Sequence, residues 1–124
     1  MTLAYWCVLV TALMPIVFAG IAKAGGNRYD NNRPRDWLLG QGGWRQRANW
    51  AHQNSLEAFP PFAAAVIIAH QLDAGQTAVN ALAVAFVLLR MGYGAAYITD
   101  RANLRSLLWL GAMACVIALF VVAA

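Results

Sequence analysis

Charge is scarce in this sequence, and its scarcity excludes more than any motif does. Only 11% of the 124 residues are Asp, Glu, Lys or Arg, while 61% are hydrophobic. A soluble globular domain carries about 25% charged residues. A chain this short buries too little surface on folding to hide so much apolar side chain in its own core. Lipid must therefore act as solvent for much of it, in keeping with a mean hydropathy of +0.54. Cysteine is also rare. Cys7 and Cys115 both fall inside apolar stretches, at different expected depths, and read as small apolar packers rather than a disulfide. Neither His52 nor His70 has a second ligand at helical spacing, so no metal site is expected. GxSxG, P-loop, HExxH and CxxC patterns are absent, as are internal repeats and low-complexity tracts. No segment alternates apolar and polar residues with a period of two, which argues against a transmembrane barrel.

Four apolar stretches remain: 2–22, 56–69, 77–98 and 107–124. A bilayer core is crossed by about 20 helical residues. Three of the stretches reach that length; the second does so only by including polar residues upstream. The expected fold is all-α, an integral membrane four-helix bundle in one domain, with helices over 2–22, 45–70, 77–99 and 104–123. The first stretch lacks a basic leading segment and exceeds the length of a signal-peptide core, so it reads as a first transmembrane helix. Residues 24–43, with Gly25-Gly26-Asn27, Asn31-Asn32-Arg33-Pro34 and a Gly-rich end, read as a loop. Inside it, Trp37-Leu38-Leu39 reads equally as an interfacial anchor or as loop packing.

The charges that exist are unevenly placed. Loop 23–47 holds Lys23, Arg28, Arg33, Arg35, Arg45 and Arg47 against Asp30 and Asp36. Loop 100–106 adds Arg101 and Arg105, whereas the connection near Asp73 has no Lys or Arg. The positive-inside rule puts loops 23–47 and 100–106 in the cytoplasm and both termini on the opposite side. The formal net charge of +4 is then a topology signal and a contact for anionic lipid. A nucleic-acid partner is not expected, because no separate domain presents the basic residues.

The polar residues inside the apolar stretches carry the functional signal. On a helix, Arg47, Trp50, Asn54 and Glu57 fall within an arc of about 80°. A face with an acid, an amide, an indole and a guanidinium cannot look at lipid, and intramembrane ionisable groups normally face a bundle interior or a cavity. Pro60 and Pro61 follow and weaken the helix ladder there. In the next stretch Arg90, Tyr93 and Tyr97 share a face, with Gly92 and Gly94 permitting close helix approach. Counted from the helix ends, Glu57 and Arg90 lie at similar depth and are placed to meet. A Glu57–Arg90 pair that only holds helices together accounts for those two residues equally well. His52 points away from the Glu57 face and reads as a packing residue.

The blocks Ala51-His52-Gln53-Asn54-Ser55-Leu56-Glu57 with Pro60-Pro61-Phe62, then Arg90, Tyr93 and Tyr97, then Arg101 to Ser106, resemble the MAPEG family (membrane-associated proteins in eicosanoid and glutathione metabolism), in particular its short bacterial-type members. The resemblance covers essentially the whole chain. It implies a homotrimer in a bacterial inner membrane, with glutathione held near the cytoplasmic face between subunits. By position it implies glutathione contacts from Arg47, Asn54, Glu57, Arg90, Tyr93 and Tyr97, and a thiol-activating pair in Arg105 and Ser106. Such residues suit the ligand, because glutathione carries two carboxylates and one ammonium and a nearby guanidinium favours thiolate over thiol.

The sequence departs from the family pattern at Trp50, where an arginine is usual, at Ala102-Asn103, where the turn usually carries a proline, and at Trp109, often an aromatic hydroxyl. The first expectation is a glutathione-dependent transferase or peroxidase acting on lipophilic electrophiles or hydroperoxides. The alternatives are a non-catalytic structural or accessory subunit of a larger membrane complex, and a binder of another amphipathic small molecule.

Overall fold

The computed structural model describes residues 1–25 and 28–124; Gly26 and Asn27, part of the expected loop, lie outside the described residues. Five helices follow one another: α1 (Leu3–Lys23), α2 (Pro34–Leu39), α3 (Gly43–Gln71), α4 (Gln76–Ile98) and α5 (Ala102–Ala123). No strand occurs among the described residues. By length and composition α1, α4 and α5 are apolar enough to cross a membrane. The polar first half of α3 keeps it out of that class despite its 29 residues.

Local chemistry sets the helix ends. Thr2 caps α1 by accepting the Tyr5 N–H at 3.4 Å, and Lys23 sits in the last turn, where a cation complements the helix dipole. Pro34 opens α2 with its preset φ. That helix lies within the expected loop, where Gly, Asn and Pro dominate the pattern and conceal one and a half turns of PRDWLL. Leu38 is buried with Ala22 and Ala48, so α2 ties the ends of α1 and α3 together, and the Trp37 ring meets Tyr29 edge-on at 5.2 Å. The turns after α3 and α4 place Asp73 and Asp100 at positive φ, 52° and 61°, a conformation that Asp tolerates better than most residues.

The four long helices pack laterally. α1 lies against α3 and α4, and α5 against α4 and α3. Alanine makes the approach close: Ala4, Ala65, Ala69, Ala83 and Ala112 all belong to the main core with Val66, Val79 and Leu119. Phe62 of α3 and Phe86 of α4 stack at 3.9 Å in its centre. Gly94 allows a close approach of α1, because a Cβ there would overlap the Phe18 ring. Leu13, Ile16, Val17, Leu88, Leu107, Ile117 and Val121 are exposed, as lipid-facing side chains would be.

Two polar clasps fix the helix order. At the N-terminal end of α1, Asn80 Oδ1 accepts the Ala4 N–H at 3.0 Å, and Thr2 Oγ1 lies 2.7 Å from His70 Nε2. At the other end, Arg45 Nη2 donates to Ala24 O at 3.2 Å and Arg47 Nε donates to Ile98 O at 3.0 Å. The start of α3 thereby holds the carbonyl of Ala24, which caps α1, and the last carbonyl of α4, orphan acceptors of the kind that every helix end leaves. Cys7 and Cys115 are both free and buried.

Candidate functional site

α3 runs unbroken through Pro60 and Pro61. Each proline lacks an N–H, so the carbonyls of Leu56 and Glu57 lose their usual i+4 donors. Just before that point α3 presents Trp50, Gln53, Asn54 and Glu57, spaced to share one side of the helix. α4 contributes Arg90, Tyr93 and Tyr97, and α5 contributes Arg105, Ser106 and Trp109.

Arg90 is the largest fully buried side chain, 1% exposed. Its Nη2 donates to Asn54 Oδ1 at 2.9 Å, and its guanidinium lies over the Tyr93 ring at 4.1 Å. Arg90 Nε is buried without a partner. Asn54 Nδ2 in turn donates to Glu57 Oε2 at 3.1 Å. The expected meeting of Arg90 and Glu57 therefore runs through an amide. The cation is enclosed while the carboxylate is exposed, so the acid keeps acceptor capacity for something else.

Further along, the Arg105 guanidinium lies over the Tyr97 ring at 4.4 Å, and Tyr97 meets Tyr93 edge-on at 5.6 Å. Two tyrosine rings, flanked by a guanidinium at each end, thus form a ladder from the buried Arg90 to the half-buried Arg105, in which each cation faces a π surface. Trp50 stands 6.1 Å from the Tyr97 ring.

Three adjoining cavities, all lined in part by Asn54, open along this ladder. One of about 290 Å³ lies among Trp50, Gln53, Asn54, Glu57, Tyr93 and Tyr97. The second, about 240 Å³, is bounded by Asn54, Tyr93, Tyr97, Arg105, Ser106 and Trp109. A third, about 210 Å³, starts at Asn54, Glu57 and Arg90 and continues between Pro61, Phe86, Met113 and Val116. Together they make a cleft that is polar at one end and apolar at the other, open to an amphipathic molecule.

Seven of the eight expected site residues, Asn54, Glu57, Arg90, Tyr93, Tyr97, Arg105 and Ser106, line these cavities. Arg47 does not line them, and its Nε is engaged with Ile98 O. It lies on the expected side of α3 but sits a turn too far toward the helix start. Gln53 and Trp109 line the cleft without having been singled out as site residues. Gln53 was detectable four residues before Glu57, and Trp109 four residues after Arg105. His52 stands off the cleft, with Nδ1 2.8 Å from Pro15 O on α1. A carbonyl only accepts, so Nδ1 carries the proton. Among the described residues no cluster of His, Cys, Asp and Glu is arranged to hold a metal ion.

Comparison with curated proteins returns no match. The family model described as "MAPEG family" matches residues 3–124, and the chain, with three helices long and apolar enough to cross a bilayer, is an integral membrane protein that belongs to the MAPEG family.

Proposed function

We propose that the cleft binds glutathione and activates its thiol against lipophilic electrophiles or hydroperoxides from the bilayer. The observation that carries this reading is the position of Asn54, which lines all three cavities and holds a buried cation on one side and an exposed carboxylate on the other. A cleft with Glu57 at one point and Arg105 at another suits a ligand bearing an ammonium and carboxylates. Arg105 and Ser106 line the same cavity. A thiol placed there would lose its proton to solvent more readily, because a guanidinium and a hydroxyl stabilise the thiolate. The thiolate sulfur then bonds to the electrophilic carbon as that carbon's leaving group departs with its electron pair. With a hydroperoxide it bonds to the terminal peroxide oxygen as the O–O bond breaks, leaving a sulfenic acid and an alkoxide that takes a proton from solvent. The apolar arm between Phe86, Met113 and Val116 leads away from that position and suits the lipophilic reactant.

The same reading takes α3 as a fourth crossing, with 23–47 and 100–106 at the cytoplasmic face of a bacterial inner membrane. It also calls for neighbouring copies. Glu57, Gln53 and Trp50 are exposed on α3, and a face carrying a carboxylate at membrane depth needs protein or water against it. A homotrimer supplies that cover.

A second reading, a non-catalytic accessory subunit, draws on two residues. Trp50 occupies the cleft beside Tyr97, and Arg47 is engaged at the end of α4. Calorimetry of glutathione binding to the detergent-solubilised protein separates the two. Binding at millimolar affinity or tighter, lost in Glu57→Gln, supports the enzyme. No heat from the wild type together with binding by Trp50→Arg supports the accessory subunit.

A further inference from the structure

A second depression lies between α1 and α4 and shares no lining residue with the cleft. It encloses about 410 Å³ and is walled by Val10, Leu13, Met14, Val17, Phe18 and Ile21 of α1 with Met91, Ala95 and Ile98 of α4. We propose that it binds one acyl chain of an anionic phospholipid, whose phosphate rests on Lys23, Arg45 and Arg47.

The groove is built into the helix contact. Gly94 lets the Phe18 ring lie against α4, and Met14 and Phe18 are buried as its floor. Ala95, exposed beside them, is too small to fill the space above. Leu13, Val17 and Met91 stand exposed as its sides. From Val10 to Ile21 the groove runs about 16 Å by helical rise, close to half of a hydrocarbon core about 30 Å thick. That is the depth of one leaflet, the length over which a single phospholipid chain extends.

The end of the groove selects the headgroup. Ile21 and Ile98 mark where α1 and α4 finish, and bare C-terminal carbonyls would repel an anion. Here each is covered by a guanidinium, through Arg45 Nη2 to Ala24 O and Arg47 Nε to Ile98 O. Each arginine keeps further N–H donors beyond the one so used, and Arg45 Nε is buried without a partner. Lys23 belongs to the last turn of α1. Asp100 follows Ile98 by two residues and Asp30 adjoins the Tyr29 ring that Lys23 covers at 4.9 Å, so the three cations still outnumber these two carboxylates. Basic clusters at the membrane surface favour anionic headgroups, whereas a zwitterionic lipid would fill the groove and gain little from them.

Native mass spectrometry of the detergent-released protein tests this with phosphatidylglycerol, with phosphatidylcholine of the same chains, and with glycerol phosphate as the headgroup alone. The wild type is expected to retain phosphatidylglycerol roughly tenfold or more over phosphatidylcholine. Lys23→Gln with Arg45→Gln should reduce that ratio to near unity. Ala95→Phe should diminish retention of both lipids. Equal retention by the wild type overturns the proposal, as does a preference that survives both variants. Glycerol phosphate binding as well as the whole lipid also overturns it, because the site would then serve free phosphate. Should Ala95→Phe or the Arg45→Gln change fail to fold, Lys23→Gln alone decides by lowering the ratio, since the helix-end carbonyls are held by Arg45 and Arg47 and not by Lys23.

Discussion

Asn54 Oδ1 accepts a hydrogen bond from Arg90 Nη2 across 2.9 Å, and a guanidinium that is 1% exposed depends on that contact for its placement. An ionised hydrogen bond of this kind contributes about 1.5–3 kcal/mol, and leaving a buried charge without its partner costs at least as much. Asn54→Leu should therefore lower stability by about 3 kcal/mol and collapse the cavities that Asn54 lines. Asn54→Asp keeps an acceptor toward Arg90 and should retain most of the stability. Thermal unfolding in detergent distinguishes them, and equal melting of Asn54→Leu and wild type would show that Arg90 is held by Tyr93 alone.

Gly94 and Phe18 meet closely between α1 and α4, with no room for a Cβ at residue 94. Gly94→Ala forces the ring away and should cost about 1–3 kcal/mol, the usual range for overpacking. Combining it with Phe18→Leu should recover part of the loss. A double mutant no more stable than Gly94→Ala would mean that the cost lies in the helix backbone rather than in that contact.

Trp50 lines the cleft where an arginine would add a charge-assisted hydrogen bond. Trp50→Arg should strengthen glutathione binding by about ten- to a hundredfold, measured by calorimetry beside the wild type. Weaker binding would show that the indole itself contacts the ligand.

Arg105→Ala should remove glutathione-dependent turnover while leaving the protein folded, because the side chain is only half-buried and rests on the Tyr97 ring. Arg105→Lys keeps the charge without the planar group and should retain part of the rate. Undiminished turnover in Arg105→Ala would take the thiol-activating role away from this residue.

His52 joins α3 to α1 through Pro15 O. His52→Phe fills the space without the donor and should cost about 1 kcal/mol, read as a shift in thermal unfolding. An unchanged midpoint would mean that the carbonyl finds another donor.

Much of the architecture was legible in the chain because apolar length is a strong signal: the long helices start and end within two residues of the expected 2–22, 45–70, 77–99 and 104–123. Helix α2 was not, because Pro34 and the neighbouring Gly and Asn residues mark a loop whether or not six residues between them coil. Helical spacing grouped Trp50, Asn54 and Glu57 on one face, and Arg90, Tyr93 and Tyr97 on another. It gave no account of side-chain reach. Arg47 shares the angular position of Asn54 to within about 20°, yet its long side chain finds a carbonyl at the end of α4 instead. Nor did depth alone reveal that Asn54 would stand between Arg90 and Glu57, because two residues at one level still leave the lateral gap undetermined.

The 29 residues of α3 extend about 43 Å, well over a hydrocarbon thickness of about 30 Å. With α3 as a crossing and Gln71 at its far boundary, the excess emerges near residue 52, so Trp50 stands in the aqueous phase while Pro61 is immersed in oil. In the proposed reaction, two reactants of opposite solubility would then meet without either one changing phase. The bilayer also acts as an extractant, because a compound that partitions into it arrives at the protein already concentrated. The rate for such compounds should follow their membrane mole fraction rather than their total concentration.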